Sequence, residues 1–110
     1  MHHKSFYVYI LASYTQRLYI GLTSDLEARL WQHRTKATPG HTSKYNIDRL
    51  VHVEEFAHAD DAIARERQLK NWSRQKKIDL IARENPTWKD LAMDVFDWSG
   101  NEFRSRENAQ

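Results

Sequence analysis

Cysteine is absent from the 110 residues, and glycine and proline are scarce, at three and two. With no thiol there can be no disulfide partner, no thiolate zinc site and no cysteine nucleophile. A reducing, cytoplasmic setting is expected. Apolar runs are only a few residues long, so nothing spans a membrane. No separate apolar stretch ends at a small-residue cleavage site near Met1, and no secretory leader is expected. Internal repeats and low-complexity tracts are also missing. The hydrophobic share of 40% lies below the usual range of about 45–50% and points to a modest core. Four Trp, five Tyr and four Phe offset this, because each ring can bury a large area. The length fits one compact domain and leaves no room for a second.

The net charge of +2 is uninformative until it is divided along the chain. Residues 1–53 carry +4, residues 54–64 carry −4, residues 65–83 carry +5 and residues 84–110 carry −3. The +5 block falls in helical-looking sequence and could present a phosphate-binding surface, or simply a solvated helix face.

Phe6–Leu11 and Arg17–Leu22 are aromatic and β-branched runs that predict two strands. The polar link Ala12–Gln16 suits a hairpin. Closing the turn between Ala12 and Gln16 sets Tyr9 opposite Tyr19. Alternation then gathers Tyr7, Tyr9, Leu11, Tyr19 and Gly21 on one face, with Val8, Ile10, Leu18 and Ile20 on the other. Ser24-Asp25-Leu26-Glu27 reads as a capping box with Ser24 as N-cap, opening a helix that runs to about Arg34. Its stripe of Leu26, Arg29, Leu30 and His33 mixes two polar groups with two leucines. Residues 35–46 read as a polar loop around Pro39-Gly40, and Arg49–Phe56 as a third strand.

A long helical segment is expected from about Ala59 to Arg83, with a break near Ser73. With Ala62 at zero on the helical wheel, Glu66 falls at about 40° and Leu69 at about 340°. Glu66 therefore sits in the apolar stripe, and Lys77, Leu80 and Ile81 return to that sector. Asn85-Pro86 ends the helix. Thr87–Trp98 reads as a short helix or aromatic wrap, and Ser99–Gln110 as a frayed tail.

Two tyrosines on paired strands, an Arg and a His one turn apart, and one stripe-facing Glu could converge on one face of a small sheet. Together they suit phosphodiester cleavage. A carboxylate can hold Mg²⁺, which keeps most of its waters; an Arg neutralises charge building on phosphorus; a Tyr can orient or activate water with a His assisting. Structural alternatives stand beside each role. Sheet tyrosines are commonly core residues with a wet hydroxyl, Arg29 could snorkel, and Glu66 could form an ion pair with Arg29. The six histidines are scattered without zinc-ligand spacing.

Tyr7-Val8-Tyr9, Tyr19-Ile20-Gly21, Arg29 and His33 together resemble the signature of the GIY-YIG nuclease superfamily. The resemblance extends through Thr42-Ser43-Lys44-Tyr45-Asn46, Leu50-Val51, Arg65-Glu66, Lys70, Trp72, Arg74, Lys77, Leu80-Ile81 and Asn85–Leu91, as in the small stand-alone bacterial proteins of URI type. It covers about residues 6–91. The first motif position holds Tyr7 rather than Gly, and Asn71 and Asn85 do not sit at the spacing of the Asn that many members carry a turn or more beyond the metal Glu, with Lys77 or Ile78 in that region instead.

The resemblance implies an α+β fold: a three-stranded antiparallel sheet flanked by helices, as a domain over residues 1–91 with a partly disordered extension over 92–110. It implies a Mg²⁺-dependent endonuclease, with Mn²⁺ as a substitute, that hydrolyses DNA or another nucleic acid to 5′-phosphate and 3′-hydroxyl ends. Tyr9, Tyr19, Arg29, His33 and Glu66 would be catalytic, with Glu66 as the metal ligand. Lys44, Lys70, Arg74 and Lys77 are the candidate phosphate contacts, and Tyr45 and Trp72 the candidate stacking residues. Phosphate contacts without a target-reading domain predict low sequence specificity. The alternative is a catalytically weak nucleic-acid-binding module on the same scaffold.

Overall fold

The computed structural model describes residues 4–35, 40 and 44–96. The expected tail from Ser99, Trp98 at the end of the aromatic segment, and Thr42 and Ser43 of the loop motif lie outside them. The chain runs through β1 (Phe6–Ala12), β2 (Leu18–Thr23), α1 (Leu26–Thr35), β3 (Arg49–Phe56), α2 (Ala59–Asn71), α3 (Arg74–Glu84) and α4 (Ala92–Val95). The three strands form one antiparallel sheet in the order β2-β1-β3. The central strand explains its own composition. Val8 through Ala12 are all fully buried because helices cover both faces, which demands an apolar run rather than simple alternation.

On one face Val8, Ile10, Ala12, Ile20 and Val51 pack with Ala62 and Leu69 of α2, Leu80 and Ile81 of α3, and Trp88. On the other Tyr9, Leu11 and Leu50 pack with Leu26 and Leu30 of α1, Ile47 and Ala92. Sheet residues reach both layers because side chains alternate along each strand, and β3 adds a bulge: Ile10 faces His52 while Leu11 faces Leu50. Val51 is the extra residue between them.

Three sequence expectations are corrected. Tyr9 pairs with Gly21 rather than Tyr19, and Leu11 takes the place opposite Tyr19. The turn closes one residue further along, between Ser13 and Arg17, with the Ser13 N–H donating to the Arg17 carbonyl at 3.0 Å. Gln16 supplies the left-handed residue, with φ of 64°, that a three-residue hairpin loop requires. A two-residue slip preserves the faces, so the grouping of Tyr9, Tyr19 and Gly21 stands. The N-cap of α1 is Asp25, not Ser24, because its carboxylate accepts the Ala28 N–H at 3.2 Å. A carboxylate there also favours the positive end of the helix dipole. The wheel cannot be continued past Trp72, whose extended backbone separates α2 from α3. Ser73 restarts the helix by accepting the Lys76 N–H. Leu80 and Ile81 are buried, while Lys77 stays partly exposed.

Beyond α3 the segment Asn85–Leu91 straps the edge of β3. The buried Asn85 amide donates to the carbonyls of Val51 (3.2 Å) and Lys89 (2.9 Å) and accepts the Lys89 N–H. Leu91 donates to the Leu50 carbonyl at 2.7 Å, and Asp90 accepts the Leu50 N–H while pairing with Arg34. The strap satisfies backbone groups that an edge strand would leave open. Ala92 and Phe96 pack against the second core, so the boundary expected at residue 91 falls inside a packed segment.

Candidate active site

Gly21 decides where the phenol of Tyr9 goes. Tyr9 projects from the central strand across β2, and a Cβ on Gly21 would lie 2.4 Å from its Cζ and its hydroxyl oxygen. Only a residue without a side chain leaves that path open. The ring crosses β2 toward the sheet edge and meets Tyr19, with centroids 6.3 Å apart. From α1, His33 reaches the same place. Its ring centroid is 6.2 Å from Tyr9 and 5.5 Å from Tyr19, and its Nε2 lies 3.4 Å from the Tyr9 hydroxyl.

One turn earlier, the Arg29 guanidinium sits beside both phenols, and its Nη1 donates to Gln32 Oε1 at 3.3 Å. Glu66 comes from α2, on the opposite face of the sheet. Because β2 is an edge strand, a side chain from α2 can extend past it, and the Glu66 charge acts on Tyr9. Its carboxylate pairs with Lys70 at 3.3 Å rather than with Arg29, which settles the ion-pair alternative raised by the sequence.

The electrostatics follow from burial. Tyr9 has no exposed surface, and burial pushes its phenol above the ordinary value of 10, with Arg29 pulling the other way. The Tyr9 phenol in turn raises the Arg29 guanidinium. Burial, with the nearby Arg29 charge, lowers His33 below 6.5. At neutral pH the cluster therefore holds a protonated Tyr9, a charged Arg29 and a neutral His33. Tyr19 is only partly buried and is the more accessible phenol.

Tyr9, Tyr19, Arg29 and His33 are thus brought together, with Glu66 near enough for its charge to act on Tyr9, whereas the expected nucleic-acid contacts divide. Tyr45 is partly buried against the core that contains Tyr19, with Arg17 4.2 Å and Lys44 5.4 Å from its ring. Lys70 stands at the site through Glu66. Trp72 does not: it packs against the opposite core, with Arg65 and Lys76 at 5.1 and 4.8 Å from its ring. Arg74 donates to the Gln16 carbonyl at 2.7 Å, tying the start of α3 to the hairpin turn. Lys77 lies on α3, the helix that packs with the core on Trp72's side. Sequence reasoning gave no role to Gly21, Gln32 or Arg17. A lone glycine inside a strand and the three-residue helical spacing from Arg29 to Gln32 were the available signals.

Paired phenols, a guanidinium and an imidazole thus meet at the edge strand of a three-stranded α+β scaffold, the architecture of a GIY-YIG catalytic domain. The chain belongs to the GIY-YIG family, whose catalytic-domain model matches residues 5–79. It is similar to a UPF0213 protein of Natronomonas pharaonis, 38% identical over 82 residues, covering 71% of this chain and 92% of the relative. A UPF0213 protein of Syntrophus aciditrophicus is 37% identical over 81 residues, covering 73% and 92%. The solution NMR structure of a UPF0213 protein from Bacillus halodurans has a TM-score of 0.53 at 27% identity and covers 81% of this chain and 95% of that one. Among the described residues no helix is long and apolar enough to cross a membrane.

Proposed function

We propose that the protein is a divalent-metal-dependent endonuclease of low sequence specificity, acting on DNA in the cytoplasm. The observation that carries this reading is the convergence of Tyr19, Arg29 and His33 on the buried phenol of Tyr9, with the Glu66 charge acting on that same phenol.

Among the described residues no group of three or more His, Cys, Asp or Glu forms a metal cage. Glu66 offers one partly buried carboxylate. That donor set fits Mg²⁺, or Mn²⁺ in its place, which binds through one or two carboxylates and takes its other oxygens from water and phosphate. Glu66 is the residue that would hold the ion, which when bound supplies charge at a phosphate oxygen and at the departing 3′ oxygen. The protein does the rest. Arg29, charged and braced by Gln32, offsets negative charge growing on phosphorus. Tyr19, the accessible phenol, orients the attacking water, and neutral His33 can accept a proton. Tyr9, buried and protonated, fixes the imidazole and guanidinium in place. The products would carry 5′-phosphate and 3′-hydroxyl ends.

The Glu66–Lys70 pair favours a second reading, a nucleic-acid-binding module whose carboxylate is already neutralised. Supercoiled, linear and single-stranded DNA and RNA should be incubated with Mg²⁺ or Mn²⁺, using wild type, Glu66→Gln and Arg29→Ala. Cation-dependent cleavage that both substitutions abolish supports the enzyme. Equal cleavage by Glu66→Gln refutes the assignment, and gel shifts at low salt without cleavage favour the binder.

A further inference from the structure

The hairpin turn between β1 and β2 concentrates features that the catalytic cluster does not use. Tyr14 at its tip is 85% exposed, and among the described residues only Met93 is otherwise a large exposed hydrophobic side chain. The Arg49 guanidinium lies 4.4 Å from the Tyr14 ring, fixed there by bonds to the carbonyls of Trp88 (3.3 Å) and Ser13 (3.1 Å). Across the same turn, Arg17 lies 4.2 Å from the ring of Tyr45. Arg74 bonds to the Gln16 carbonyl in the turn itself. Two aromatic rings and three guanidinium groups therefore surround one three-residue loop. The scaffold anchors two of those guanidinium groups.

The turn is also continuous with the site. Arg17 immediately precedes β2, two residues before Tyr19, so the two Cα atoms are roughly 7 Å apart. Tyr45, beneath Arg17, belongs to the same packed cluster as Tyr19. A strand whose phosphate sits at Tyr19 and Arg29 would meet Arg17 at the next phosphate and reach the tip beyond it. An exposed ring backed by a guanidinium is the chemistry that receives a nucleobase face. An acidic peptide would be served by the cations alone and would gain nothing from the exposed phenol.

We infer that the β1–β2 turn is a base-stacking platform on which Tyr14 receives an unpaired base of the nucleic-acid strand leaving the catalytic site, with Arg17 holding the intervening phosphate. This rests on the nuclease reading above. The test measures the affinity of a short fluorescein-labelled oligothymidylate, and of a blunt duplex, in EDTA so that no strand is cut. Tyr14→Ala should weaken single-strand binding roughly five- to a hundred-fold, with Tyr14→Phe close to wild type and the duplex little affected. Arg17→Ala should reduce the slope of log affinity against log salt by about 0.7, the value for one phosphate on a single strand. Unchanged oligothymidylate binding by Tyr14→Ala, or equal losses on both probes, overturns the platform. So does displacement of the strand by poly-glutamate as readily as by unlabelled oligonucleotide. Cleavage that requires Glu66, together with Tyr14-independent binding, refutes the platform alone. Tyr14-dependent binding without cleavage under any cation refutes catalysis and leaves the platform standing.

Discussion

Gly21 and Tyr9 are directly paired across β1 and β2, and a methyl on Gly21 would lie 2.4 Å from the Tyr9 hydroxyl oxygen. The ring cannot keep its path over an alanine. It must rotate away from His33, or β2 must shift and carry Tyr19 with it. Gly21→Ala should therefore cut the cleavage rate about a hundred-fold, the scale of a displacement near 1 Å. Overpacking should also remove roughly 1–3 kcal/mol of stability. Single-turnover rates and thermal unfolding measured on the same preparation check both. A protein that keeps its rate while losing stability would show that the Tyr9 position is not catalytic.

His33 gives the site a direction in pH. Burial and Arg29 lower its folded value below 6.5, so the folded protein holds it neutral under conditions where the unfolded chain would begin to protonate it. As pH falls through that folded value the imidazole charges beside Arg29 and can no longer accept a proton. Cleavage should fall on the acid side of neutrality, along a limb centred below 6.5. Stability contributed by the neutral form is present above 6.5 and is lost across the same window. In His33→Gln the acid limb should disappear at a lower overall rate. A limb unchanged in that variant assigns it to another group.

A second pH dependence comes from the face away from the site. Glu54 accepts from Arg65 Nε and Nη2 at 2.8 and 3.0 Å, and its Oε2 lies 2.7 Å from the Nε2 of the buried His52. The His52 contact first, and Arg65 with it, lower the Glu54 carboxyl from 4.5 to about 2. The stabilisation is therefore full above pH 4.5 and vanishes as pH falls toward 2. It is on the order of 1–3 kcal/mol for a group this far from full burial. Glu54→Gln should flatten the unfolding midpoint between pH 5 and pH 3 and leave neutral-pH cleavage per folded molecule unchanged. Midpoints that fall in parallel for variant and wild type would place the acid sensitivity elsewhere.

Much of this arrangement was legible in the chain. Arg29, His33 and Glu66 stood out as charged or polar groups on otherwise apolar helical stripes; Arg29 and His33 meet Tyr9 and Tyr19, and the charge of Glu66 acts on Tyr9. Periodicity works there because a helix has one buried face, and a polar group on it needs a reason. The strand faces survived a wrong register because slippage by two residues preserves alternation. What was illegible depended on contacts distant in sequence or on conformations with weak signals. Gln16 adopts a left-handed turn normally marked by Gly or Asn. Trp72, which looked like a stacking surface, is held against the core by the break between α2 and α3. The Asn85–Leu91 run reads as motif, but its side chains hold the backbone of β3, more than thirty residues earlier in the chain. Nothing local distinguishes a strap of this kind from a functional loop.

Lys70 and any cation held by Glu66 must compete for the same carboxylate. The ammonium lies 3.3 Å from Glu66 Oε2, one helical turn away, and its side chain is 54% exposed. Half-exposed pairs of this kind contribute at most about 1 kcal/mol, so the competition is worth up to about fivefold in apparent affinity. Lys70→Gln should lower the Mg²⁺ concentration for half-maximal cleavage by that factor. The same substitution removes a positive charge near the substrate path, so the KM for DNA should rise and become less sensitive to salt. Opposite movements in cation requirement and substrate affinity distinguish a shared carboxylate from a simple phosphate contact, for which only the second would change. A Lys70→Gln protein with an unaltered Mg²⁺ requirement would show that Lys70 does not compete with the cation for Glu66, and the same titration on Lys70→Arg, which keeps the charge, should stay near wild type.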